Sequence, residues 1–212
     1  MENLIDKIKK VILKQTPFCE FEDKQYGLAL VEKQNEGLLY KLDKVEIIGL
    51  DENQTVAFKL DDSKLGKVTS YLKASVPKIH RQCDYIIVSK IGEEVFVLIT
   101  EMKSGDEEGL KSKLINSWAF FSYIVSVIYG ANTDVSILKI NFGFVLFQRR
   151  KGKAMIRELG KSHPFAYDLR RKMPGTNLKV LRISTNRPMF RISINDITEH
   201  IDKSEGVIFT NI

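Results

Sequence analysis

The sequence predicts an α/β (α+β) fold, a central mixed β-sheet flanked by helices, and three observations carry the prediction. Residues 84–90 and 95–103 are two apolar runs joined by a short polar turn, and both of their alternating faces are apolar, as in strands at the centre of a sheet. A long apolar helical run, residues 110–129, follows them directly. A further apolar strand, residues 137–147, comes next, so the central order is strand, strand, helix, strand with helical material in front. The 212 residues amount to about one ordinary domain and can bury a substantial core without staples. The chain reads as a single domain with its core over residues 2–148 and a basic C-terminal extension over 149–212.

Taken in order, residues 2–15 place Leu4, Ile5, Ile8, Val11 and Ile12 on one side at helical spacing, and Thr16-Pro17 ends that helix. Residues 18–44 contain Gly27, Gly37 and two short apolar runs; no element is assigned there, and a second helix stays open. Residues 45–50 and 55–60 are β-rich runs around Asp51-Glu52-Asn53-Gln54, which predicts a hairpin. Leu65, Val68 and Leu72 suggest a short helix over 61–74, broken at Val76-Pro77. The run over 110–129 is apolar nearly all round past Asn116 and is therefore predicted to be largely covered, stopping at Gly130-Ala131-Asn132. Strands are predicted over 178–183 and 190–194, then a short helix and a final extended run over 196–212.

Composition narrows the class. Cys19 and Cys83 are far apart and in no metal-ligand spacing, so no disulfide framework is indicated. Met1-Glu2 leads into a mixed-charge amphipathic run and not a signal peptide, which makes a reducing cytoplasm the expected location. Residues 114–133 carry no formal charge and reach the length of a membrane span, but their serines and asparagines and the neighbouring strands favour a helix buried against a sheet, with no membrane partner. Charge is uneven. Residues 148–191 hold 13 Lys/Arg against 2 Asp/Glu, a net of +11, whereas residues 192–212 carry a net of −3. A basic block behind a near-neutral body suits a polyanionic partner; a solvated basic surface is the bland alternative.

The two central strands carry the chemistry. With residues 91–94 as the loop, Lys90 lies opposite Val95 and Asp84 falls across from Glu101, with side chains roughly 4.5–5.5 Å apart at Cβ. Lys103, two residues beyond Glu101, shares its face. Opposed like charges are destabilising without compensation. A divalent, oxygen-preferring cation such as Mg²⁺ or Mn²⁺ compensates them, and Lys103 would then orient a water or neutralise a developing phosphate charge. The alternative is a charge cluster at the solvated end of a sheet.

Asp84, an apolar strand pair, then Glu101-Met102-Lys103, a helix and a strand resemble the core signature of the PD-(D/E)xK nuclease superfamily, the restriction-endonuclease-like fold. The resemblance covers residues 78–148, with residues 2–15 similar to the family's first helix. It implies that Asp84, Glu101 and the main-chain carbonyl of Met102 hold the metal and that Lys103 is the catalytic lysine. Two departures stand: Cys83 precedes the acid where the family often has proline, and the upstream acid is Glu20, Glu22 or Glu36 without a choice among them. The implied function is a metal-dependent nuclease hydrolysing phosphodiester bonds, acting on DNA ahead of RNA, in a defence, mobile-element or repair setting. A homodimer is compatible with such an enzyme. Two rivals are a catalytically inactive nucleic-acid-binding or assembly module of the same fold, and a partner-binding subunit with no nucleic-acid role.

Lys78 and Arg81 ahead of the strand, and Lys111 and Lys113 at the start of the helix, are candidate backbone contacts for a nucleic acid. Arg149, Arg150, Arg170 and Arg171 head the densest basic clusters and are candidates for the same role, with strong salt dependence and no sequence reading. Residues 105–112 have the wrong spacing for a phosphate loop, and their acids would repel phosphate. The three histidines form no HExxH or HxxxH arrangement, so zinc catalysis is not indicated.

Overall fold

The computed structural model describes residues 4–11, 19, 21–23, 27–31, 42–60, 81–103, 109–130, 139–149, 166–168, 179–201 and 207–208. The elements are α1 (Leu4–Val11), β1 (Phe21–Asp23), β2 (Gly27–Val31), β3 (Lys44–Ile48), β4 (Thr55–Lys59), β5 (Tyr85–Ile91), β6 (Glu94–Lys103), α2 (Leu110–Gly130), β7 (Lys139–Arg149), β8 (Ala166–Asp168), β9 (Val180–Thr185), β10 (Met189–Ser193), α3 (Ile194–His200) and β11 (Val207–Ile208). The fold is α+β. A mixed sheet in the order β4-β5-β6-β7-β9-β8 lies at the centre, and a second sheet runs β1-β2-β3-β10. No helix among the described residues is long and apolar enough to cross a membrane.

The central sheet is built from local rules. β4, β5 and β6 form an antiparallel meander. Gly92, at φ +60, supplies the left-handed conformation of the tight β5–β6 turn. The return to β7 is parallel and needs a crossover, which α2 provides. β9 is parallel to β7, and β8 closes the edge antiparallel to β9. Alternation then divides the core. Ile86, Val88, Val97 and Ile99 pack with Leu4, Ile5 and Ile8 of α1 and with Leu114, Phe121 and Val125 of α2. Tyr85, Ile87, Phe96, Leu98 and Met102 face Leu28, Leu30, Val45, Ile47 and Ile192 of the second sheet and Ile197 of α3. β5 and β6 are thus covered on both sides, as their two apolar faces predict.

Several sequence expectations change. Residues 44–48 and 55–59 are strands but not a hairpin: β3 pairs with β2 and β10, and β4 pairs with β5. Gly49 at φ +82 turns the chain out of β3, and Asp51 caps a single 3-10 turn by accepting from the Asn53 N–H. The chain therefore passes from one sheet to the other. Residues 21–31, where no element was assigned, hold β1 and β2. The tyrosine of β5 ties them down: Tyr85 Oη donates to Val31 O at 2.6 Å and accepts from Val31 N at 2.9 Å. From the basic stretch 149–212, β9 enters the central sheet and β10 the second sheet. α2 is not covered all round: Ile115, Trp118, Tyr123 and Val127 are exposed. The predicted helix over 61–74 lies outside the described residues.

Candidate functional site

The β5–β6 register decides which side chains meet. Tyr85 pairs with Thr100, Ile86 with Ile99 and Lys90 with Val95, so paired positions follow the predicted register. The turn is tighter than predicted, because Ile91 and Glu94 still pair. Asp84 stands just before β5, and its place is over-determined. Its backbone carbonyl accepts from Leu60 N at 2.9 Å, and its Oδ2 accepts from Met102 N at 2.7 Å. The approach to it is clamped by α2. Ser117 Oγ accepts from Cys83 N at 2.8 Å and donates to Gln82 Oε1 at 3.0 Å, while Asn116 Nδ2 donates to Arg81 O at 2.8 Å.

Glu101 sits on the β6 face that looks toward α2 and is only 1% exposed. Lys103, at 25%, is at the rim, with its Nζ 3.6 Å from Glu101 Oε1. Lys113, from the first turns of α2, reaches inward: its Nζ donates to Glu101 Oε1 at 2.7 Å and lies 4.0 Å from Asp84 Oδ1. The second carboxylate oxygen of Glu101, Oε2, is buried and has no hydrogen-bond partner among the described residues. Such an orphaned oxygen costs roughly 1–3 kcal/mol unless something binds it.

The electrostatics follow from burial. Burial first, and then the Asp84 carboxylate, push the Glu101 pKa up to about 7, against the pull of Lys113 and Lys103. Burial works against the Lys113 ammonium, but Glu101 and Asp84 outweigh it and raise its pKa. The Cys83 thiol is held well above its usual value by burial, with Glu101 and Asp84 adding to the effect, so it is not a thiolate nucleophile.

The structure therefore brings Asp84, Glu101 and Lys103 together and adds Lys113 to them. Lys113 was expected to face a nucleic acid; it faces the two carboxylates. Arg81 is exposed, and its guanidinium lies against Gly109 at the start of α2, where a Cβ would overlap it. Gly109 has φ +78, a left-handed backbone conformation that favours glycine there. Lys111 is exposed on the same first turn. Arg149 ends β7 one strand away from Lys103, but alternation puts Gln148 on the face of Lys103 and Arg149 on the other, where its Nε donates to Asn186 O at 3.2 Å. Lys78, Arg150, Arg170 and Arg171 lie outside the described residues, as do Glu20, Glu36 and the side chain of Glu22.

A signal for Lys113 and Ser117 was present in the sequence. Leu110, Leu114, Ser117, Phe121, Ile124, Val125 and Ile128 are the buried stripe of α2, and Lys113 adjoins it one turn before Ser117. Polar residues on an inward stripe mark groups with something to hold.

The residues fit an oxygen-preferring divalent ion in donor chemistry: two carboxylates, one with an orphaned oxygen and a raised pKa caused partly by the other. Among the described residues no third acid, histidine or cysteine completes a ligand group. No protein-family model, curated protein or solved structure matches this chain.

Proposed function

We propose that this chain is a metal-dependent phosphodiesterase of the restriction-endonuclease-like type, a nuclease acting on DNA ahead of RNA. The observation that carries the reading is the meeting of Asp84 and Glu101 at the ends of two paired central strands, with an unsatisfied Glu101 oxygen between burial and like-charge repulsion. The order of elements supports it: an acid before β5, Glu-x-Lys ending β6, a helix, and a parallel β7.

Asp84, Glu101 and the Met102 carbonyl would hold Mg²⁺ or Mn²⁺, which supplies Lewis-acid polarisation of a phosphate oxygen and a water of lowered pKa. The protein's own groups do the rest. The Met102 N–H donates to Asp84 Oδ2 and so restrains the rotation of that carboxylate. Lys103, at the rim, would orient the attacking water or meet the phosphate charge that develops as the water oxygen bonds to phosphorus and the bond from phosphorus to the leaving sugar oxygen breaks. Lys113 neutralises the carboxylate pair from beneath while the site is metal-free, so the folded chain tolerates a buried acid beside a second, partly exposed one.

The same Lys113 contact favours a second reading, in which the cluster is internally neutralised and the protein is a non-catalytic nucleic-acid-binding module. One experiment separates the two: incubate wild type and Glu101→Ala with a panel of DNA and RNA substrates in Mg²⁺, Mn²⁺ or EDTA. Cleavage by wild type that needs the metal and disappears in Glu101→Ala supports the nuclease. Binding without cleavage in any metal supports the module, and metal-dependent cleavage that survives Glu101→Ala refutes the site.

A further inference from the structure

Lys113 stands where an ion joining the two acids would stand. Its Nζ donates to Glu101 Oε1 at 2.7 Å and lies 4.0 Å from Asp84 Oδ1. A hard divalent ion shared by these carboxylates needs an oxygen of each at roughly 2.0–2.6 Å, which places it in the gap that the ammonium fills. Like charges this close repel strongly away from bulk water, so ammonium and ion exclude each other.

The ammonium is the poorer occupant. Its hydrogen bond serves one Glu101 oxygen, and the buried Oε2 has no hydrogen-bond partner among the described residues. An oxygen-preferring ion takes a carboxylate through one oxygen or both, so it can serve an atom that Lys113 leaves over. The side chain is also built to leave. α2 holds its backbone: Lys113 N donates to Gly109 O at 3.2 Å, and the neighbouring Leu114 and Ser117 are buried. The ammonium rides on a flexible four-carbon stem, and the side chain is 18% exposed, so it has a way out to water. A carboxylate pair on the second sheet is made differently. Arg191 grips Glu46 with two bonds of 3.0 Å, Nε to Oε2 and Nη2 to Oε1, and leaves neither oxygen over.

We propose that Lys113 is the resident cation of this site and that a divalent ion binds by displacing it from between Asp84 and Glu101. The inference rests on the ion-site reading above and adds an exchange to it. With both acids ionised, Lys103 and Lys113 bring the cluster to formal neutrality. With the ion in place and Lys113 turned outward, positive charge is in surplus, which suits a phosphodiester.

The test follows the amine itself in the full wild-type chain. Metal-free protein and protein with saturating Mg²⁺ receive a short pulse of acetic anhydride, and acylation is read residue by residue by mass spectrometry. Lys113 should label several-fold faster with the ion, since an amine held in an ion pair is protected, while Lys90, exposed at the other end of the hairpin, labels equally in both. Mn²⁺ affinity gives an independent reading. Lys113→Met should bind the ion at least about tenfold more tightly than wild type, and Lys103→Met, which removes the more distant ammonium, should tighten binding clearly less. The labelling needs no variant, so it decides the matter even where Lys113→Met does not fold. Saturable ion binding with Lys113 labelling unchanged or slowed would leave the ion site standing and overturn the exchange. Equal tightening in both variants would mark a general charge effect and overturn it as well. Absence of ion binding in wild type and in Lys113→Met removes the ion site and the exchange with it.

Discussion

Replacing Glu101 by glutamine separates the charge of this side chain from its shape, and the structure gives the sign of the effect. In the folded, metal-free chain the carboxyl titrates near pH 7, raised from an ordinary 4.5 by burial and then by Asp84. Below the ordinary value the group is neutral in both folded and unfolded chains and has no effect on stability. Between about 4.5 and 7 the unfolded chain has released its proton and the folded chain has not, so stability falls as pH rises through that window. Above about pH 7 the loss is complete, and at about 1.4 kcal/mol per unit it is on the order of 3 kcal/mol. Glutamine has the same size and never ionises. Metal-free Glu101→Gln is therefore expected to match wild type in acid and to exceed it above neutrality by up to about 3 kcal/mol, several degrees in Tm for a chain of this length. The assay is thermal or urea unfolding in EDTA across that pH range. Added Mg²⁺ should then stabilise wild type alone, by about 2.7 kcal/mol at a hundredfold excess over Kd. A metal-free Glu101→Gln that is less stable than wild type above neutrality would refute the reasoning, since it would make Glu101 an ion-pair anchor for Lys113 and Lys103.

Two further outcomes follow from the same cluster. Lys113→Met removes the ammonium that neutralises Asp84 and Glu101, so the Glu101 carboxyl should titrate higher still and the chain should lose on the order of 2–4 kcal/mol, with the loss growing as pH rises and shrinking when Mg²⁺ is added. Unfolding curves with and without the ion read this directly, and a loss that is the same at every pH would contradict it. Ser117→Ala strips the clamp from Cys83 N–H and Gln82, which should cost about 1–3 kcal/mol in urea unfolding and weaken any metal-dependent activity by loosening the approach to Asp84; full activity in a destabilised variant would separate the clamp from the site.

The parts of this molecule that were legible in its sequence are those in which alternation and loop length leave one solution. β5 and β6 are apolar on both faces, which marks them as central strands, and the short turn between them sets the register, which runs to Tyr85 opposite Thr100, one step before Asp84 and Glu101. The β3–β4 segment was misread because two β-rich runs around four turn residues look the same whether the chain folds back or crosses to another sheet. Gly49 and the Asp51 cap decide it, and their effect on direction appears only in three dimensions. β1 and β2 were missed because their apolar runs are short and Gly27 offers no side chain to pattern; the carboxylate of Glu46 fills the space where a Cβ on Gly27 would sit. The inward reach of Lys113 toward Asp84 and Glu101 was not legible for a related reason. α2 is so uniformly apolar that periodicity does not set its rotation, and only the polar Ser117 on the buried stripe hints that the lysine one turn earlier points inward.

The central claim is that Asp84 and Glu101 form a divalent-cation site, and Mn²⁺ binding to the metal-free full chain tests it most directly, followed through the loss of the free ion's electron paramagnetic resonance signal. The account predicts saturable binding of about one ion per chain, displaced by Mg²⁺ and abolished when Asp84→Asn and Glu101→Gln are combined. Absence of binding up to millimolar ion, or binding unchanged in the double variant, would contradict it.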